Sequence, residues 1–146
     1  MFKRILITMS LLCVMAAAVA ADDPIEQRQH LMHNNGKALK AMLGMVRGKR
    51  DFDAETVTKS LETIKQTAEQ VGSLFPEGSE TGHKTEAKST IWTDREGFNK
   101  QLEALRTAAE DALAAKPGDV EALRTQLKNV MHTCKGCHDD YRVEKD

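Results

Sequence analysis

The chain has 146 residues, a formal net charge of -1, 40% hydrophobic and 29% charged residues, and three cysteines. These figures fit one globular domain and exclude a disordered chain, a multi-spanning membrane protein, a disulfide scaffold and a nucleic-acid binder held by a basic face. Aromatic residues make up only 4%, and β-branched runs punctuated by glycine are few, which argues for helices over a sandwich or barrel.

Lys3 and Arg4 precede the apolar stretch from Ile5 to Ala20, which ends in Ala18-Val19-Ala20. A basic start, an apolar core short for a bilayer span and a small-residue ending make a secretory signal peptide. Residues 1–20 therefore read as a cleaved signal, and residues 21–146 as a single exported, periplasmic domain with no stable membrane insertion. Cleavage removes Cys13 and Phe2, leaving Cys134 and Cys137 as the cysteines and Phe52, Phe75, Trp92, Phe98 and Tyr141 as the aromatics. So few aromatic side chains leave a core short of bulk unless something else fills it.

The first element is a helix from Pro24 to about Arg47, because Ile25, Met32, Leu39 and Val46 recur at sevens with Leu31, Ala38, Met42 and Met45 alongside. Pro24 suits a first-turn position and Gly48 a stop. The second helix starts from an Asp53 cap, carries Val57, Leu61, Ile64, Ala68, Val71 and Phe75 inward, and ends at Pro76. Residues 76–92 lack apolar periodicity and form the one long connection, of the kind that often covers a site. Thr93-Asp94-Arg95-Glu96 reads as a capping box for a third helix with Phe98, Leu102, Leu105, Ala109 and Ala112 inward. After Pro117-Gly118, Asp119 caps a fourth, whose stripe is Val120, Leu123, Leu127, Val130 or Met131, Cys134, His138 and Tyr141. Four amphipathic helices with two short links and one long one predict an all-α, antiparallel four-helix bundle.

Cys134-Lys135-Gly136-Cys137-His138 is a C-x-x-C-H sequence, the attachment signature of c-type haem. Cysteines three apart share a helical face and can form thioethers to one edge of a porphyrin, while His138 on the same side offers a ring nitrogen to iron. A dithiol redox pair fits poorly near a helix C-terminus, where the dipole opposes thiolate. A structural zinc site lacks further ligands, and a simple disulfide leaves His138 unexplained. The expected cofactor is therefore one covalently bound haem c, enclosed by the bundle and supplying the bulk the core lacks.

On the first helix Arg28, Met32, Asn35, Gly36 and Leu39 share one side. A mid-helix glycine costs about 1 kcal/mol relative to alanine, which a flat group packing closely at Gly36 would explain. Met32 is then either an axial thioether or a hydrophobic lid. His30 and His33 flank the stripe and read as exposed. The lysines near the motif, Lys128 and Lys135, read as a solvated face or a docking edge for an acidic partner.

The sequence resembles the class II cytochromes c, the family of cytochrome c' and cytochrome c-556. The resemblance spans the mature chain and rests on Arg28-Gln29-x-Leu31-Met32, on Ile91-Trp92-Thr93-Asp94 with Phe98, and on Cys134-Lys135-Gly136-Cys137-His138-x-x-Tyr141-Arg142. It implies a haem between the first and last helices, held by Cys134 and Cys137, with His138 as proximal ligand and Met32 over the distal face. It also implies Arg28 near the haem propionates, Trp92 in the haem environment and Arg142 flanking His138. Where such a methionine ligates, as in the c-556 type, the protein is a non-enzymatic electron carrier serving redox partner proteins. Where the distal site stays vacant, as in cytochrome c', the iron binds nitric oxide or carbon monoxide. Relatives often dimerise through their first two helices, so a homodimer is among the implied assemblies.

Overall fold

The computed structural model describes residues 23–144, so the expected signal peptide lies outside the described residues. Helix α1 spans Pro24–Val46, and the Asp23 carboxylate caps it by accepting from the Ile25 and Glu26 amides at 2.7 and 3.3 Å. Helix α2, Ala54–Gln70, is capped in the same way by Asp53, which accepts from Glu55 and Thr56. It tightens into a 3-10 turn over Val71–Leu74 before Pro76, so the regular helix ends earlier than its periodicity predicts. Val71 and Phe75 are nevertheless buried, because the tighter turn keeps both on the inner side.

The long connection is not wholly irregular. A single-turn helix, α3, covers Thr90–Thr93, and the main helix α4 runs over Arg95–Ala115. This corrects the predicted cap: Thr93 is spent as the last residue of α3, its hydroxyl directed at the Thr90 carbonyl, and Asp94 accepts from the Gly97 amide at 3.1 Å instead. Helix α5, Val120–Tyr141, starts from Asp119, which accepts from the Ala122 amide at 2.8 Å. Of the two candidates for its stripe, Val130 is fully buried and Met131 is 40% exposed.

Helix α1 packs on α2 and α5, α2 on α4, and α4 on α5, which closes a four-helix ring. Its apolar interior falls into two parts. Away from the C-x-x-C-H motif, Met42, Val57, Leu61, Leu123, Leu127 and Val130 interlock as a core of protein side chains, each large side chain contributing roughly 1.5–3 kcal/mol by burial. At the motif end, Val71, Phe75, Ile91, Phe98, Leu102 and Tyr141 form a second cluster, in which the aromatic rings meet edge to face at centroid distances of 5.0 to 5.8 Å. The aromatics that the sequence supplies so sparingly are thus concentrated at one end.

Residues 76–88 form a strap across that end. The strap joins the C-terminus of α5 through an antiparallel bridge between Ala87 and Arg142, with the Lys88 amide donating to the Tyr141 carbonyl at 3.0 Å and the Val143 amide to the Glu86 carbonyl at 2.8 Å. No helix among the described residues is long and apolar enough to cross a membrane.

Candidate functional site

Between α1, α4, α5 and the strap lies a cavity of about 550 Å³, within the size range of sites that take a bound organic group. Its walls are mainly apolar, with Met32 and Leu39 from α1, Ile64 from α2, and Phe98, Leu102 and Leu105 from α4. Cys134, Cys137 and His138 all open onto it from α5, so the three residues of the motif meet one space, as their helical spacing predicts. Met32 faces the same cavity from α1, and Gly36 lies on the wall one turn further along. A Cβ on Gly36 would meet no protein atom within 4 Å, so its absence leaves room at the cavity wall.

The chemistry of these donors suits haem. Cys134 and Cys137 are free thiols, half-buried; burial pushes the Cys134 thiol up and the Cys137 thiol up to about 11. Un-ionised thiols are poor partners for disulfide exchange, which tells against a dithiol redox pair. Burial, reinforced by the Arg142 charge, lowers the His138 pKa and keeps the imidazole neutral, the form that ligates iron. Among the described residues no group of three or more His, Cys, Asp or Glu side chains is arranged to hold a bare metal ion. Two thiols, one neutral imidazole and an apolar cavity therefore fit a porphyrin-bound iron better than a metal ion alone.

The remaining residues expected around the site fall into three positions. Arg142 lines the cavity beside His138 and approaches Glu86 at 3.9 Å. Trp92 is not among the lining residues: it stands one layer back, against Phe75, its indole N–H donating to the Pro76 carbonyl at 3.0 Å. Arg28 lines the cavity and is 4% exposed, but its guanidinium is turned to the strap. It donates to the Leu74 carbonyl, the Ser79 hydroxyl, the Ser79 carbonyl and the Thr85 hydroxyl, all between 2.8 and 3.0 Å, and lies 4.4 Å from the centre of the Phe75 ring. The resemblance implies a partner for the haem propionates at this position; the structure makes Arg28 first the anchor of the strap. His30 and His33 are exposed, as the sequence predicts.

Sequence reasoning misses the clasp at the end of α5. The Tyr141 hydroxyl donates to the Asp94 carboxylate at 2.7 Å, tying the last turn of the motif helix to the cap of α4. A Cβ on Gly97 would overlap the Asp94 carboxylate and lie 2.5 Å from the Tyr141 oxygen, so the clasp in this geometry depends on a glycine there, and any side chain would push the two groups apart. The spacing of Asp94 and Gly97 is visible in the sequence, but their meeting with Tyr141 is tertiary.

The comparisons with known proteins agree with this site. A family model described as Cytochrome C' matches residues 23–142. The chain is 36% identical to a cytochrome c' of Rhodopseudomonas palustris over 88% of its own length and 87% of the relative's, and a solved structure of cytochrome c' from Rhodopseudomonas palustris superposes with a TM-score of 0.82 at 34% identity, covering 86% of this chain and all of the other. Cytochrome c-556 of Agrobacterium fabrum is 33% identical over 98% of this chain and 97% of the relative. A variant of cytochrome c prime from Alcaligenes xylosoxidans, solved as a nitric oxide complex, superposes with a TM-score of 0.72 at 27% identity, covering 83% of this chain and 94% of that one. A C-x-x-C-H motif that opens with an apolar cavity at one end of a four-helix bundle, together with this similarity along the described chain, makes the protein a member of the cytochrome c' family, the class II cytochromes c that carry one covalently bound haem c.

Proposed function

We propose that this chain is a periplasmic one-electron carrier of the c-556 type, in which Cys134 and Cys137 hold the haem as thioethers and His138 and Met32 complete the iron's coordination. The observation that carries the reading is that Met32 and His138 open onto one cavity from different helices, α1 and α5. The haem supplies an Fe(II)/Fe(III) couple. The protein holds an imidazole and a thioether that accommodate both oxidation states with little movement, and the apolar walls limit the water that would have to reorganise. No side-chain acid or base has to act, so the reading is of a carrier and not an enzyme.

The chain's own residues also set the orientation of the site. The Tyr141–Asp94 clasp fixes the last turn of α5 behind His138, and the Ala87–Arg142 bridge holds the strap to the same end. Arg142 keeps a positive charge beside His138, which favours the neutral imidazole. For docking, both Lys128 and Lys135 are exposed, but Lys135 is already engaged with Asp139, which leaves Lys128 as the lysine of the pair free to meet an acidic redox partner.

The second reading is a gas-binding haem protein with an open distal site, favoured by the similarity to cytochrome c'. Optical spectra of the oxidised and reduced holoprotein, with and without carbon monoxide, separate the two. The expected result is low-spin iron with a Met-to-iron charge-transfer band and slow reaction with carbon monoxide. In Met32→Ala the band should vanish, the iron become high-spin or water-ligated, the potential fall and carbon monoxide bind readily. A high-spin wild-type protein that binds carbon monoxide freely would transfer the assignment to gas binding.

A further inference from the structure

The strap contains a turn whose residue types do not suit its backbone. The Thr85 amide donates to the Gly82 carbonyl at 2.8 Å, closing four residues whose central pair, His83 and Lys84, have φ of 44° and 54°. Two successive positive φ values make the mirror-image turn that favours Asn-Gly, because side chains at both central positions crowd the backbone. Side chains kept at such positions point to a function for the side chains themselves. That of His83 is accounted for: its ring nitrogens lie 3.1 Å from the Glu26 carboxylate and 3.5 Å from the Asp23 carboxylate, while its carbonyl accepts from the Gln29 amide group at 3.0 Å. Lys84 is exposed, its ammonium has no hydrogen bond or ion pair among the described residues, and yet the residue lines the cavity.

Three cationic residues line that cavity: Arg28, Lys84 and Arg142. Arg28 gives its guanidinium to four neutral oxygens of the neighbouring backbone and strap, and Arg142 faces Glu86. A haem carries two carboxylates on the edge opposite the carbons that form its thioethers, so the motif on α5 cannot serve both edges. A carboxylate brought to a mainly apolar site needs a cation or donors in place of lost water. We propose that Lys84, presented by the turn that His83 clamps to the start of α1, is the cation that receives a haem carboxylate at the mouth of the cavity. The inference rests on the haem being seated through Cys134 and Cys137, and it holds whether or not Met32 ligates the iron.

A cation at this place stabilises the ionised carboxylate and, by adding positive charge near the iron, favours the reduced state. The test is the reduction potential of the holoprotein measured against pH for Lys84→Gln, Lys84→Gly and Lys84→Arg, with intact mass confirming one haem in each. In Lys84→Gln and Lys84→Gly the potential at neutral pH should fall, and the carboxylate-linked inflection should move to higher pH by about 1 unit or less, at the low end for a neighbouring charge. Lys84→Arg should retain both features. Lys84→Gly also controls for the turn, since glycine suits the positive φ and its melting temperature should equal or exceed that of the wild type. An unchanged potential and inflection in the Gln and Gly variants overturn the inference, as does an equal shift in Lys84→Arg. A wild-type protein without covalent haem overturns the seat itself and the inference with it.

Discussion

Asp94 serves two partners at once, accepting from the Gly97 amide as the cap of α4 and from the Tyr141 hydroxyl as the far end of the α5 clasp. The Tyr141 hydroxyl, with the Gly97 amide, holds the Asp94 carboxyl below the usual carboxylate range, and the same contact pushes the Tyr141 hydroxyl up to about 12. The signs follow by linkage. The depressed carboxyl contributes stability that is present above its unfolded pKa and is lost as pH falls through the lowered folded value. The raised phenol contributes stability that is present below its ordinary value of 10.0 and is lost as pH rises toward about 12. Tyr141→Phe should therefore lower the melting temperature by a constant amount across neutral pH, with the difference from wild type shrinking in strong acid and above about pH 10. Gly97→Ala should reproduce the neutral-pH loss by forcing the two oxygens apart. A Tyr141→Phe difference that stays flat from about pH 3 to about pH 12, past the ordinary carboxyl value at one end and the ordinary phenol value at the other, would show that the hydroxyl's contact with Asp94 is not what stabilises this corner. At this scale the sequence shows a helix start near residue 94 but places its cap one residue early, because the turn of helix that consumes Thr93 follows no apolar period.

Periodicity makes the long helices legible, since Val57, Leu61, Ile64 and Ala68 of α2 and Phe98, Leu102, Leu105, Ala109 and Ala112 of α4 are all buried where their spacing predicts. The strap is not legible in this way, because a charged residue organises it: Arg28, on a helix face that the pattern marks only by its neighbours, gathers acceptors from residues 74, 79 and 85. A guanidinium can serve four acceptors in fixed directions, whereas an ammonium on a shorter reach cannot match that fork. Arg28→Lys should therefore release the strap while leaving the four long helices formed. Hydrogen bonds to a charged group are worth about 1.5–3 kcal/mol each, so losing even one should raise amide exchange at Ser79 and in residues 85–87 by roughly tenfold or more. Exchange in α2 and in the first half of α5 should change little. Equal acceleration throughout the chain would mean that Arg28 supports the global fold and not the strap alone.

The two-part interior sets how the whole molecule responds to losing its cofactor. The core around Met42, Leu61, Leu123 and Leu127 is closed by protein side chains alone, whereas the cluster around Phe75, Phe98 and Tyr141 borders the cavity of about 550 Å³. Cavities in apolar surroundings forfeit contacts on every wall they leave bare, and the cost grows with their volume. The thin aromatic content of the sequence predicts an interior completed by something other than protein, but not its position, because periodicity does not tell which turns of a stripe face protein and which face a ligand. With the position known, the protein of Cys134→Ala/Cys137→Ala should come apart unevenly. Amides of α2 and of the first half of α5 should keep protection, while those of the strap, α3 and the last turns of α5 should exchange freely, and near-ultraviolet dichroism should fall more than the helical signal. Trp92, the sole tryptophan of the chain, lies against Phe75 in the affected half, so its emission should shift to the red as that half opens. Uniform protection with a single cooperative melt would show that the helices close over the cavity by themselves and that haem adds no order to this end of the bundle.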